Sequence, residues 1–181
     1  MDLPYWIHED YFIFKPNFNG SITDHLHIII KYNKLIFSNY CDLETSIEQI
    51  NGNESINNFS GSLFNKPLAD SFDKLINLTL INFGDYFNKP LDNSLDKLIN
   101  LTYLSFGYGF NKPLNNTLYY LSKLVYLKLG CKFNQELNLP SNIKILNLNC
   151  NNQNLIDSLP NSVEQLIFGY NFDLLINNLP N

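Results

Sequence analysis

FNKPL stands at residues 64–68 and returns at 87–91 and 110–114, and its variant FNQEL follows at 133–137. Phe64, Phe87, Phe110 and Phe133 are therefore each 23 residues from the next. A fixed period of this size marks a repeat architecture, in which one unit cannot bury its apolar side alone and stacking the units makes a continuous core. Two periods before Phe64 lies Phe18-Asn19-Gly20-Ser21-Ile22, a weaker copy, so the array is expected to start near residue 18.

Within each period the apolar residues read LxxLxL: Leu78, Ile81, Phe83; Leu101, Leu104, Phe106; Leu124, Leu127, Leu129; Ile143, Leu146, Leu148; Val163, Leu166, Phe168. Alternate residues of a strand share a face, so the LxL step predicts one short strand per repeat. Gly84, Gly107, Gly130, Asn149 and Gly169 follow, residue types that tolerate a sharp turn out of the strand. The return segments, such as 91–98, have loose helical spacing over about two turns and should form short helical or 3₁₀ pieces. Pro140, Pro160 and Pro180 mark a shortened unit of 20 residues. There Leu139-Pro140 and Leu159-Pro160 should return in extended form, because proline lacks an N–H and restricts its predecessor. The fold class expected is an α/β solenoid, a leucine-rich-repeat right-handed superhelix of about seven coils. It has a parallel concave β-sheet and short helical, 3₁₀ or extended convex segments. Its divisions are an N-terminal aromatic cap at 1–17 built on Tyr5, Trp6, Tyr11, Phe12 and Phe14, the repeat array at 18–178, and the start of an incomplete repeat at 179–181. Tyr32, Leu35 and Phe37 fit the strand positions two periods before Leu78, Ile81 and Phe83, but residues 41–63 break the rule and are expected to form a degenerate coil or bulging loop.

FNKPL and FNQEL after LxxLxLG resemble FNIP repeats, a leucine-rich-repeat variant of social amoebae and of giant DNA viruses of amoebae. The resemblance covers about residues 18 to 178. It implies a protein-interaction role, and in relatives that carry an N-terminal F-box it implies substrate selection for a ubiquitin ligase. Only about 17 residues precede the first repeat here, too few for a helical F-box. In the motif itself, Phe64, Phe87, Phe110 and Phe133 are expected to stack as an aromatic spine. Asn65, Asn88, Asn111 and Asn134 are expected to form a ladder satisfying turn N–H and C=O groups.

Composition narrows the function. The 181 residues are 45% apolar and 16% charged, with a net charge of −5. This opposes disorder and lacks the basic footprint of a nucleic-acid binder. Asn fills about one position in six and Arg is absent, against ordinary usage. Without Arg, bidentate phosphate or carboxylate clamping is not expected. No run approaches the roughly 18 to 20 apolar residues of a membrane-spanning helix, and the acidic start does not read as a secretory signal. A cytoplasmic location, host-cell cytoplasm for a viral protein, is expected, with no membrane partner.

No catalytic constellation emerges. The histidines are His8, His25 and His27, and His25-x-His27 lacks the further ligands of a closed metal site. No base recurs beside a Ser or Cys nucleophile. Neither catalysis, a metal nor a cofactor is expected. Cys41 aligns with the Phe of the spine and should be a small buried hydrophobe. Cys131 and Cys150 occupy equivalent positions in consecutive coils, within disulfide range, although intracellular conditions favour free thiols.

The outward strand positions carry the functional reading. One column is Leu80, Tyr103, Tyr126, Ile145, Gln165, its neighbour is Asn82, Ser105, Lys128, Asn147, Ile167, and a third includes Asp85, Tyr108, Cys131, Cys150 and Tyr170. Contiguous apolar and Tyr surface is typical of interfaces. A protein partner is expected on the concave face at Leu80, Tyr103, Tyr126, Ile145, Tyr108, Tyr170 and Lys128. The alternative is a structural solenoid, a homo-oligomer stacked through its C-terminal end, where Val163, Leu166, Phe168, Phe172 and Ile176 lack a cap.

Overall fold

The computed structural model describes residues 2–48, 60–170, 172–177 and 179. Eight short strands form one sheet in chain order: β1 (Tyr5–His8), β2 (Tyr11–Phe14), β3 (Lys34–Phe37), β4 (Leu80–Asn82), β5 (Tyr103–Ser105), β6 (Tyr126–Leu129), β7 (Ile145–Leu148) and β8 (Gln165–Phe168). β1 and β2 make an antiparallel hairpin, and every later neighbour is parallel. The alternation within YLKL and ILNL sends Leu127, Leu129, Leu146 and Leu148 inward. The interior is filled one layer per coil.

Two ladders of stacked phenylalanines run along that interior. One comprises Phe14, Phe37, Phe83 and Phe106, with ring centroids 5.2, 5.6 and 5.4 Å apart. The other comprises Phe18, Phe64, Phe87, Phe110 and Phe133, spaced 5.8, 5.7, 6.0 and 6.3 Å with planes within 12°. Side by side lies a polar ladder. The backbone N–H groups of Asn65, Asn88, Asn111 and Asn134 donate to the Oδ1 of Asn19, Asn65, Asn88 and Asn111, at 3.1, 3.0, 3.0 and 2.9 Å. Each amide thus satisfies a turn donor that no strand or helix provides for. The turn after the strand needs glycine for close approach: a Cβ on Gly130 would meet Gly107 O at 1.9 Å.

The convex side is a series of short pieces, a 3₁₀ turn at Ala69–Phe72 and the helices α3 (Asn115–Tyr120) and α4 (Gln153–Asp157) among them. α4 corrects one expectation. The coil before Leu159-Pro160 returns as a helix because Asn152 caps it, its Oδ1 accepting Leu155 N–H, and because the helix ends at Asp157, ahead of the proline.

β3 pairs directly with β4, Lys34 opposite Leu80, so two periods of sequence separate neighbouring strands. The surplus leaves the stack at Asn39 and returns at Ser60 and Gly61, whose N–H groups both donate to Asn39 O at 2.8 and 3.0 Å. Asn39 Oδ1 then accepts Ser62 N–H and Asp85 N–H, tying the coils on either side. Of the stretch 41–63, residues 49–59 lie outside the described set, and the described part holds one helix, α2 (Leu43–Glu48); a shorter helix, α1 (Leu26–Ile29), lies earlier, between β2 and β3. Cys41 is exposed rather than buried, since the chain has already left the stack and Phe64 lies directly over Phe18.

Candidate partner-binding face

Parallel registration lines up the outward side chains of the sheet in two rows. The first runs Tyr11, Lys34, Leu80, Tyr103, Tyr126, Ile145, Gln165, and the second Ile13, Ile36, Asn82, Ser105, Lys128, Asn147, Ile167. Over β2 to β4 this face is already covered. Ile13 and Ile36 are fully buried and Leu80 nearly so, in a second apolar cluster closed by Trp6, Tyr11, Leu43, Ile47 and Tyr103. Leu80, expected on the open face, is therefore covered, because Leu43 and Ile47 of α2 pack in the same cluster. α2 is itself pinned there: Ser46 Oγ hydrogen-bonds Ser38 Oγ at 2.6 Å, and Thr45 N–H donates to Asp42 Oδ1 at 2.8 Å.

From β6 to β8 the face is open, and β5 is its boundary, with Ser105 buried and Tyr103 packed against the covered cluster. Tyr103 and Tyr126 stack at 4.1 Å between centroids with planes 4° apart, and both rings are half-buried. Asn147 Nδ2 donates to the Tyr126 hydroxyl at 3.3 Å, while its Oδ1 is buried without a hydrogen-bond partner. Ile145, Lys128 and Ile167 are half-buried around the pair. Beyond the C-terminal strand ends, a pocket of about 240 Å³ is lined by Asn82, Asp85, Ser105, Tyr108, Lys128 and Asn149 among others. Next to it, exposed Tyr86 and Tyr108 flank a shallow groove over Gly61 and Gly109, with Lys132 Nζ 5.4 Å from the Tyr108 ring. Tyr170 is fully exposed at the turn after β8 and belongs to neither registered row.

The titratable groups are structural in setting. His25 lies edge-on to Tyr5, Phe14 and Phe18, and burial lowers its pKa, with Asp24 opposing and His27 adding to the effect. Burial works to lower the pKa of Lys34, but hydrogen bonds to Tyr11 and Asp10 carry it upward overall. Among the described residues no group of three or more His, Cys, Asp or Glu is placed to hold a metal ion, and no helix is long and apolar enough to cross a membrane. Cys131 and Cys150 are both free, Cys131 exposed and Cys150 buried in the core, so their side chains face different environments despite equivalent spacing. Burial raises the Cys150 thiol to about 11, which disfavours its thiolate.

The FNIP repeat model matches residues 133–171 and 151–181, the coils built on β7 and β8. Over residues 133–181 the chain is thus similar to FNIP repeats. The fold is similar to that of CroV588, a circular leucine-rich-repeat protein of a giant virus, with a TM-score of 0.55 and 23% identity. The match covers 99% of this chain and 34% of that one, so the chain spans about a third of that protein's length. Among curated proteins no sequence matches. Both likenesses agree with the leucine-rich-repeat solenoid seen in the sheet.

Sequence reading missed Ile13, Ile36, Leu43 and Ile47 as parts of this face. A signal was present: YFIF and KLIF are apolar at successive positions, as in strands covered on both sides, whereas YLKL and ILNL alternate.

Proposed function

We propose that the protein is a non-catalytic interaction module that holds a protein partner on the open part of the concave sheet. Tyr103 and Tyr126 form its centre, Ile145 and Lys128 flank them, and Tyr108 lies on the rim. The supporting observation is the stacked pair itself. Two half-exposed tyrosines fixed by strand register offer a large rigid apolar area at little entropic cost, the property of interface anchors. The FNIP repeats suggest substrate selection for a ubiquitin ligase as the setting, with the F-box on another subunit, and the three free thiols fit a reducing compartment such as the cytoplasm. Affinity capture with the wild-type chain and with Tyr103→Ala/Tyr126→Ala tests the reading. A partner retained only by the wild type supports it, and one retained equally by both refutes it.

Self-association is a second reading. The outer edge of β8 is unpaired among the described residues, and Val163, Leu166 and Phe168 beside it are only partly buried. Such an edge is a template for another strand. Sedimentation of the 181-residue chain that stays monomeric at high concentration would rule this out.

A further inference from the structure

The concave face already has one occupant, and that occupant is a helix. α2 belongs to the cluster of Ile13, Ile36 and Leu80 through Leu43 and Ile47, which are four residues apart and so share one helical face. Its other side is acidic, with Glu44 and Glu48 exposed. The covered strip does not end where α2 does. Tyr103 joins that same cluster and stacks on Tyr126, and the row continues to Ile145.

Spacing favours the same kind of ligand further along. Neighbouring strands lie about 4.8 Å apart, and residues three and four apart on a helix rise about 4.5 and 6 Å. A helix crossing the strands therefore sets about one apolar side chain over each strand. Charge favours it too. On the eight outward positions of β4 to β7, Lys128 is the one charged side chain, placed in register between Ser105 and Asn147. An acidic flank like that of α2 complements it.

Resting on the concave-face reading above, we infer that the open half of the sheet takes an acidic amphipathic helix of a partner protein. The helix continues the line of α2, with aliphatic residues at i, i+3 or i+4, and i+7 on Tyr103, Tyr126 and Ile145 and a carboxylate toward Lys128. This is helix-in-groove recognition on a sheet floor.

The chain supplies its own probe. Residues 42–48, Asp-Leu-Glu-Thr-Ser-Ile-Glu, repeated in tandem place Leu and Ile on one helical stripe with carboxylates beside it. This peptide, held helical by a staple on its polar side, is titrated into the full chain by fluorescence anisotropy. The expected result is saturable binding that weakens about tenfold or more in Tyr103→Ala/Tyr126→Ala. Lys128→Glu should weaken it several-fold, with reduced salt dependence. A peptide with Ser at the Leu and Ile positions should not bind. Equal binding by a proline-containing extended version, or by the double Tyr variant, overturns the inference. So does absence of binding to the wild type. If the wild type still captures a partner that the Tyr103→Ala/Tyr126→Ala variant loses, the concave-face reading survives and only the helical class fails.

Discussion

Lys34 of β3 lies opposite Leu80 of β4, although 46 residues separate them. Every ladder crosses the same gap in one step: Phe37 stacks on Phe83, Phe18 on Phe64, and Asn65 N–H donates to Asn19 Oδ1. One period has left the stack without disturbing its register. What left delivers α2 to the concave face, so the insertion divides that face into a covered half and an open half.

The Asn ladder makes a graded prediction. Asn88 Oδ1 accepts Asn111 N–H at a part-buried position. Replacing it with Leu strands that donor and should cost about 1 kcal/mol or more, whereas Asn88→Asp keeps an acceptor in place. Urea unfolding should therefore rank Asn88→Asp above Asn88→Leu in midpoint.

Close approach of coils makes Gly130 intolerant of a side chain. A Cβ there meets backbone at 1.9 Å, while one on Gly20 meets only the edge of the Phe18 ring, at 3.0 Å. Gly130→Ala should lose about 1–3 kcal/mol, the range for overpacking, and Gly20→Ala much less. Thermal melting of the two variants side by side checks this, and equal melting points would contradict the register of β5 and β6.

Detaching α2 should be a local event. Leu43→Ser/Ile47→Ser removes its apolar contacts with the Ile13 and Ile36 cluster. Hydrogen exchange should show the amides of α2 losing protection while those of β5 to β7 keep theirs. Binding of an apolar dye should rise as Ile13 and Ile36 gain exposure.

The thiols should separate by environment. Cys41 and Cys131 are exposed and Cys150 is buried, its pKa raised to about 11. Iodoacetamide at pH 8 should label two sites in the native chain and three after unfolding, read by mass spectrometry. Between the ordinary value of 9.0 and about 11 the native state keeps a proton that the unfolded chain has lost. Stability should therefore fall as pH rises through that window.

The solenoid was legible in the sequence because each coil repeats the same physical need. Phe64, Phe87, Phe110 and Phe133 recur at one spacing since each fills the same site in a stack. Tyr103 and Tyr126 were legible as neighbours for the same reason. The covering of Leu80 was not, because it depends on Leu43 and Ile47, which belong to no repeat and reach the sheet only through the excursion at Asn39. The helix α4 escaped notice because Pro160 lies beyond its end, and the cap at Asn152 occupies the position where the earlier coils place a phenylalanine of the spine.

Photocrosslinking tests the central claim most directly. A benzophenone amino acid is placed in turn at Tyr126, on the open concave sheet, and at Ile99, exposed outside it, and each chain is irradiated with lysate of the cells that express the protein. One discrete protein adduct is expected from position 126 and none from position 99. An adduct from position 99 alone, or the same adduct from both, would contradict it.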